Sequence, residues 1–65
     1  MRFTLEIKMD NAAFQNDPMG ELAQCIKEVA EGLLDNSAEG WRPTNRIHGN
    51  IKDANGNTVG EWEVA

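Results

Sequence analysis

Basic residues and cysteine are scarce in this sequence of 65 residues. Six Lys and Arg stand against eleven Asp and Glu, which gives a net charge of −5. Because contacts to phosphate need clustered Lys and Arg, this balance disfavours a protein that binds nucleic acid directly. The single cysteine, Cys25, excludes an internal disulfide and a cysteine-rich zinc site.

Long apolar runs are also missing. Charged residues interrupt the first eight positions every few residues, so this segment lacks the apolar core of a signal peptide. No stretch approaches the roughly 20 apolar residues that span a bilayer. Together with the lone thiol, which suits a reducing compartment, these features predict a cytoplasmic protein without a membrane partner.

The apolar residues that are present can form only a small core. Hydrophobic types make up 40% of the chain, and several of these residues are alanine. A domain of this size buries roughly 60% of the surface of its unfolded chain. We therefore expect one small α+β domain over residues 1–65, without a deep catalytic cavity.

Residues 2–9 alternate strictly between apolar and polar side chains, which is typical of a strand with one buried face. The predicted buried face carries Phe3, Leu5, Ile7 and Met9. Asp10 and Asn11 break the pattern, and residues 10–16 are expected to form a loop in which Phe14 packs back onto the core.

A helix is predicted over residues 18–34. Asp17 can accept a hydrogen bond from a free backbone N–H as N-cap, and Pro18 suits the first helical position. The predicted core stripe of this helix contains Met19, Leu22, Ile26, Val29 and Leu33. The opposite side is predicted to carry Asp17, Glu21, Gln24, Glu28, Glu31 and Asp35.

A hairpin is the clearest local signal in the second half of the chain. It follows residues 36–45, which are expected to form a loop. Asn55-Gly56 is the preferred residue pair for a type I′ turn. With this pair as the turn, Gly49 faces Trp62, so the indole has space to lie across the partner strand.

The same register sorts the hairpin side chains onto two faces. The apolar face is predicted to carry Ile47, Ile51, Trp62 and Val64. The other face is expected to meet water and collects Arg46, His48, Asn50, Lys52, Val59, Glu61 and Glu63.

The predicted element order is β-α-β-β. A helix that returns from the first strand makes the second strand parallel to the first and the third antiparallel to both. Placing the third strand in the middle gives a three-stranded antiparallel sheet in the order 1-3-2, with one helix packed on its apolar face. The order 1-2-3 is the alternative, but it needs a less favoured parallel pair.

No group of residues in the sequence predicts catalysis. His48 and Glu63 are expected to be cross-strand neighbours on the wet sheet face, where a surface ion pair explains them better than proton transfer. Cys25 is expected to be a structural thiol at the edge of the helix stripe, because no nearby base lowers its pKa. We therefore expect no enzymatic activity.

Asp53, Asn55 and Asn57 resemble the first three ligands of a calcium loop. The sixth position of that loop would be Thr58 instead of Gly, and the twelfth would be Val64 instead of Glu. The hairpin turn explains the three residues without a metal, and the sequence predicts neither a metal site nor a cofactor.

The distribution of charge is more informative. Residues 17–39 contain six acids against Lys27 alone, whereas the segments before and after them are each neutral. The acids are Asp17, Glu21, Glu28, Glu31, Asp35 and Glu39. Acids four residues apart are about 6 Å apart along a helix, roughly approaching the spacing of phosphates along a nucleic-acid strand. Such a surface can bind a groove rich in Lys and Arg, although a solvated face that keeps the protein soluble is the simpler interpretation.

Trp41 follows Gly40 in the predicted loop and precedes Arg42. The favoured interpretation is that its indole closes the open end of the core. The alternative is an exposed aromatic anchor for a partner, of the kind that is enriched at interface hot spots.

Segments across most of the chain carry a family resemblance. They are residues 1–8 (MRFTLEIK), 10–14 (DNAAF), 21–23 (ELA), 28–30 (EVA) and 51–60 (IKDANGNTVG). They resemble a family of very small acidic proteins of phages and mobile elements, and in particular type I-C anti-CRISPR inhibitors. The resemblance implies a protein that binds a host CRISPR effector, and it brings no catalytic residues.

Charge and resemblance together lead to a first hypothesis of a non-enzymatic inhibitor that mimics DNA. Its acidic helix face would bind a basic DNA-binding surface of the CRISPR surveillance complex, on a type I Cascade subunit, and block target DNA. The expected contact residues are Glu21, Glu28, Glu31 and Asp35, then Asp17 and Glu39, with Trp41 as an apolar anchor.

Three alternatives remain open. The chain could be an accessory module that binds another host or virion protein through the polar sheet face. A small hydrolase or transferase would need a pocket that the sequence does not provide. A monomer is expected, but an exposed strand edge could also pair two copies.

Overall fold

The structure, a computed structural model, describes residues 1–43 and 46–65. Its main elements are β1 (Phe3–Ile7), α1 (Pro18–Ala38), β2 (Ile47–Lys52) and β3 (Thr58–Val64), with a short 3-10 helix at Ala12–Phe14. The strands form an antiparallel sheet in the order β1-β3-β2, which confirms the predicted α+β fold. Thr44 and Asn45, at the end of the predicted loop, lie outside the described residues. Among the described residues, no helix has the length and apolar character to cross a membrane.

Local capping determines both ends of α1. The Asp17 carboxylate accepts a hydrogen bond of 3.0 Å from a backbone N–H in the first turn, as predicted. At the other end Gly40 has a φ of 83°, and the N–H of Trp41 donates to the carbonyl of Asn36 at 3.1 Å, which closes a Schellman motif. The helix therefore continues to Ala38 instead of ending at residue 34, because Gly40 is the first residue that stops it.

The side of α1 that faces the sheet differs from the predicted stripe. Val29 is buried as expected, whereas Met19 and Ile26 are 64% and 46% exposed. Cys25, which was predicted at the edge of the stripe, is 1% exposed. Leu22 and Leu33 pack against the core, as predicted. The helix is therefore turned only in part from the predicted orientation, toward Cys25.

The bulk of Trp62 explains this orientation. Its indole lies across Gly49, as predicted, so closely that a Cβ at Gly49 would be 2.6 Å from the indole nitrogen. The indole also reaches Gly32 of α1, where an added Cβ would be 4.0 Å from its six-membered ring. Small residues on the helix therefore accommodate the largest side chain of the sheet.

The β2–β3 hairpin keeps the predicted register but uses a different turn. Gly49 pairs with Trp62, as expected. The Gly56 N–H donates to the Asp53 carbonyl at 3.0 Å, and Gly56 has a φ of 82° while Asn55 has a negative φ. The loop is therefore a three-residue turn that ends in a left-handed glycine, not a type I′ turn.

A bulge at Val59 explains why the register survives this change. A three-residue loop alone would shift the pairing by one residue and move every side chain to the other face. Lys52 pairs with Thr58 but Ile51 pairs with Gly60, so Val59 is an extra residue in β3. The prediction that Val59 lies on the polar face is wrong, because the bulge directs it into the core, where it is 7% exposed.

One helix cannot cover the whole apolar face of the sheet. It packs mainly on β2 and on the 3-10 helix, where Phe14 is buried as predicted. The buried core consists of Phe14, Cys25, Val29, Ile51, Val59 and Trp62. Phe3 and Leu5 of β1 stay exposed, against the prediction of a buried face, because β1 lies at the edge away from β2.

The glycines of α1 allow a matched test of this packing. We expect Gly32→Ala to raise the free energy of unfolding by about 0.5–1 kcal/mol, because alanine favours helix and its Cβ fits beside the indole. Gly20→Ala should give no such gain, since its Cβ would be 2.1 Å from the Asp17 carboxylate and would displace the N-cap. Urea denaturation measures both; equal gains would contradict the described packing.

Candidate partner-binding surface

The predicted contact acids in the second half of α1 lie along one flank of the helix. Glu28, Glu31 and Asp35 are all exposed. With 3.6 residues per turn, their mean direction is roughly 110° from the buried side at Cys25 and Val29. They therefore lie beside the sheet contact instead of directly opposite it, because the helix is turned. We call these three residues the acidic flank.

The acidic flank forms no close ion pair within the described part of the chain, although Lys27 lies one turn before Glu31 on the same helix. Among residues 1–43 and 46–65, the ion pair within 4.0 Å joins Arg46 and Glu63, which lie on the hairpin. Glu28, Glu31 and Asp35 form none in that part of the chain. Their negative potential is therefore available to a positively charged partner.

Helix stability does not explain why acids occupy this position. Asp35 lies in the last turn of α1 and Glu39 is its C-cap, and no basic residue lies in that turn. Carboxylates near a helix C-terminus oppose the helix dipole, at about 0.3–1 kcal/mol each. The pairs Glu31–Asp35 and Asp35–Glu39 also place like charges four residues apart. These acids weaken the helix that carries them, which favours a role outside folding.

Two of the predicted contact acids have a role within the fold. The Glu21 carboxylate accepts a hydrogen bond of 2.9 Å from the N–H of Ala54, so it joins α1 to the hairpin loop. Asp17 caps the helix. The sequence predicts the cap at Asp17, but it could not predict the bond from Ala54 to Glu21, because that bond depends on how the hairpin meets the helix.

Trp41 is half-buried at one end of the core. It lines an apolar pocket with Met1, Leu33, Ile47 and Val64, next to the C-terminal end of α1. This position agrees with the interpretation that the indole closes the end of the core. Because the residue is only half-buried, part of it remains accessible to a partner near the C-terminal end of α1.

Asp53 organises the hairpin loop, which sequence reasoning missed. It is 7% exposed, and its Oδ1 accepts 2.9 Å hydrogen bonds from the N–H groups of Asn55 and Asn57. Its Oδ2 accepts a hydrogen bond from the side-chain amide of Asn11. N–H donors therefore contact both oxygens, and this explains the calcium-like spacing as turn chemistry. Asp at the first position of a turn commonly bonds to the backbone two residues later, so the position of Asp53 before Asn55-Gly56 was the signal for this role.

These bonds make the stability of the fold depend on Asp53 ionisation. Burial alone would raise the pKa of Asp53, but the hydrogen bonds from Asn57, Asn11 and Asn55 lower it below its ordinary value. A lowered folded-state pKa stabilises the protein above the unfolded-state pKa, and this stabilisation is lost as pH falls through the folded-state value.

We therefore expect Asp53→Asn to lower the melting temperature at neutral pH. Its disadvantage should shrink between about pH 5 and the lowered folded-state pKa, because there the wild type loses its own carboxylate. Asp10→Asn, at an exposed acid, is the matched control and should change the melting temperature little. A deficit for Asp53→Asn that is independent of pH would contradict the role of the carboxylate charge.

Cys25 is a structural thiol, in agreement with the sequence prediction. Its Sγ lies 3.7 Å from the Lys52 carbonyl oxygen, to which it donates. Burial raises the pKa of the thiol, and the negative charges of Glu21, Glu28 and Asp53 raise it further. The thiol therefore stays protonated near neutral pH and is a poor nucleophile.

The open face of the sheet carries a second group of acids. Glu6 lies directly opposite Glu61, and Glu63 lies next along β3, between Thr4 and His48. His48 is the cross-strand neighbour of Glu63, as predicted, but the ion pair of Glu63 is with Arg46 instead. The net charges of the chain segments do not reveal this group of acids. Its members come from two segments that are each neutral, and these segments meet only in the folded sheet.

The acidic flank is therefore exposed and continuous along one helix, and it forms no ion pair within 4.0 Å among the described residues. No protein-family model, no curated protein and no solved structure matches this chain.

Proposed function

We propose that this protein is a non-enzymatic anti-CRISPR inhibitor that acts in the cytoplasm of the host cell. Its acidic flank binds a basic DNA-binding surface of the CRISPR surveillance complex, on a type I Cascade subunit, and prevents target DNA from binding. The observation that carries this proposal is that Glu28, Glu31 and Asp35 are exposed on one flank and form no ion pair with any residue that the structure describes. The resemblance to small acidic phage proteins supplies the class of partner.

The geometry of the flank suits a surface that normally holds a phosphate backbone. Glu28 and Asp35 are about 10 Å apart along the helix axis, with Glu31 between them. Glu39, at the helix C-cap, continues the series toward the half-buried Trp41. A groove lined with Lys and Arg attracts such a row over long range and speeds association. Asp17 and Glu21 extend the negative potential but also maintain the cap and the hairpin contact.

A plasmid-interference assay against several CRISPR subtypes, type I-C included, tests this proposal. Cells that express the protein should accept a targeted plasmid as efficiently as a plasmid without the target. With the purified complex, the protein should compete with target DNA, and its affinity should fall steeply from low to physiological salt because the contact is ionic. Undiminished interference in every subtype would refute the proposal.

The acids on the open sheet face support a second candidate function. Glu6, Glu61 and Glu63 line a concavity together with Thr4 and His48. Such a face fits an accessory module that binds another host or virion protein. Capture of CRISPR effector subunits from host lysate would favour the inhibitor. Capture of a different host or virion protein, in a manner that depends on Glu61, would favour the accessory module.

A further inference from the structure

The free edge of β1 has no role in the proposed function. β1 lies at one edge of the sheet, next to β3. Arg2 and Ala65 exchange two backbone hydrogen bonds of 2.7 and 2.9 Å, and the Lys8 N–H donates to the Val59 carbonyl at 2.8 Å. Successive residues of an antiparallel strand point their backbone groups to alternate sides. The residues whose N–H and C=O groups point to the free edge are therefore Phe3, Leu5 and Ile7.

Apolar side chains accompany this unpaired backbone. Phe3 and Leu5 are 47% and 37% exposed, and Met1 is 83% exposed. β1 contains no proline, and the register of its pairing with β3 has no bulge, so two common protections of edge strands are missing. The edge thus offers hydrogen bonds and apolar contacts along the same residues.

We propose that two copies of this chain pair through β1, antiparallel about a two-fold axis at Thr4, and form a six-stranded sheet. In this register Phe3 of each copy lies opposite Leu5 of the second copy, and Met1 lies opposite Ile7. On the open face Arg2 lies opposite Glu6, and symmetry repeats this contact. Apolar residues therefore meet apolar residues, and each charge meets its opposite.

Charge and the length of the paired segment select this register among those that the backbone allows. The outward N–H and C=O groups permit antiparallel pairing centred on any residue from Phe3 to Ile7. A centre at Leu5 places Arg2 opposite Lys8, and a centre at Glu6 places two copies of Glu6 opposite each other. Like charges that lie directly opposite destabilise a sheet. The Thr4 centre is free of such a pair. A centre at Phe3 would leave Ile7 unpaired, and a centre at Ile7 would place Phe3 opposite Asn11, which lies beyond β1.

The dimer would leave the acidic flank accessible. α1 packs on β2, which forms the edge opposite β1. Pairing through β1 therefore adds a second flank on the far side of a continuous sheet. The mass of the dimer and the register of its two β1 strands can be measured without an inhibition assay. The dimer is therefore tested independently of the proposed function.

Sedimentation equilibrium of the full chain tests the pairing. The wild type should approach twice its mass of 7.2 kDa as the concentration rises. Arg2→Glu and Glu6→Arg should each weaken association at least tenfold, and the double variant should restore it. Lys8→Glu, the matched control outside the paired segment, should leave association unchanged. A wild type that stays monomeric at all accessible concentrations, or an unaffected Arg2→Glu variant, would overturn the proposal.

Cross-linking tests the register separately. Thr4 lies opposite its own copy at a non-hydrogen-bonded position, where Cα atoms are about 4.5 Å apart, within disulfide range. Thr4→Cys should therefore form a covalent dimer under oxidised glutathione, and Lys8→Cys should not. The native Cys25 does not interfere because it is buried. Equal cross-linking of both variants would exclude the Thr4 register.

Discussion

Reversing the acidic flank with Glu28→Lys, Glu31→Lys and Asp35→Lys together is expected to abolish inhibition of CRISPR interference while the fold stays intact. The three residues are exposed and make no ion pair within the described chain, so the change removes no internal contact. Lysine near the end of α1 also favours the helix dipole, so the free energy of unfolding should not fall. Loss of inhibition would then come from lost attraction to a basic partner.

The open sheet face provides the control for net charge. Glu6→Lys, Glu61→Lys and Glu63→Lys change the charge by the same amount at the second group of acids. Transformation efficiency of a targeted plasmid, with circular dichroism for folding, compares the two triple variants. Inhibition by the sheet variant but not by the flank variant supports the proposed function. The reverse result would transfer the activity to the sheet face.

A single methyl group at Gly60 is expected to have the largest effect on stability. An alanine Cβ there would be 1.9 Å from the backbone carbonyl oxygen of Glu6, which is rigid because it belongs to the neighbouring strand. β1 and β3 would have to separate. We expect Gly60→Ala to cost more than about 3 kcal/mol, against a total stability of about 3–10 kcal/mol for a chain of this length.

Gly56 is the matched control for this substitution. It has a φ of 82°, but no atom lies within 4 Å of an added Cβ. Gly56→Ala should therefore cost only about 1 kcal/mol, from the left-handed conformation alone. Thermal unfolding followed by circular dichroism distinguishes the two. A Gly60→Ala variant that unfolds at the wild-type temperature would contradict the described β1–β3 contact.

Much of the fold follows from local patterns in the sequence. The alternation at the start of the chain locates β1, and Asp17 with Pro18 locates the start of α1. The sheet order follows from chain direction, and the shared apolar face of Ile47, Ile51, Trp62 and Val64 favours the hairpin register that the structure has. Each of these features depends on residues close in sequence or on a single pairing rule, so the sequence alone is sufficient to predict it.

The remaining features depend on contacts between distant elements. Asn55-Gly56 fits both a two-residue and a three-residue loop. In the three-residue loop, the Asp53 carboxylate accepts hydrogen bonds from the Asn55 N–H and from the side chain of Asn11, which belongs to a distant segment. The orientation of α1 depends on the space that Trp62 requires. Neither effect produces a periodic pattern in the sequence. The periodic patterns therefore predict a solvent-facing Val59 and a buried Ile26, whereas the structure buries Val59 and exposes Ile26.

The candidate surface shows the same division. Counting charges located the excess on α1, because acids that recur at helical spacing share a side. Counting could not reveal that Glu21 binds the hairpin loop or that Glu6 meets Glu61 across the sheet. Those relations arise only when three strands are assembled, so the acidic flank was predictable and the second group of acids was not.

The central position of β3 has a consequence for biosynthesis. β1 and β2 contact each other only through β3, so the sheet cannot assemble until residue 64 has left the ribosome. Until then the nascent chain carries the apolar β1 without its sheet partner, and such unpaired strand edges are prone to aggregate. Pairing of residue 3 with residue 64 also raises the contact order, which slows folding.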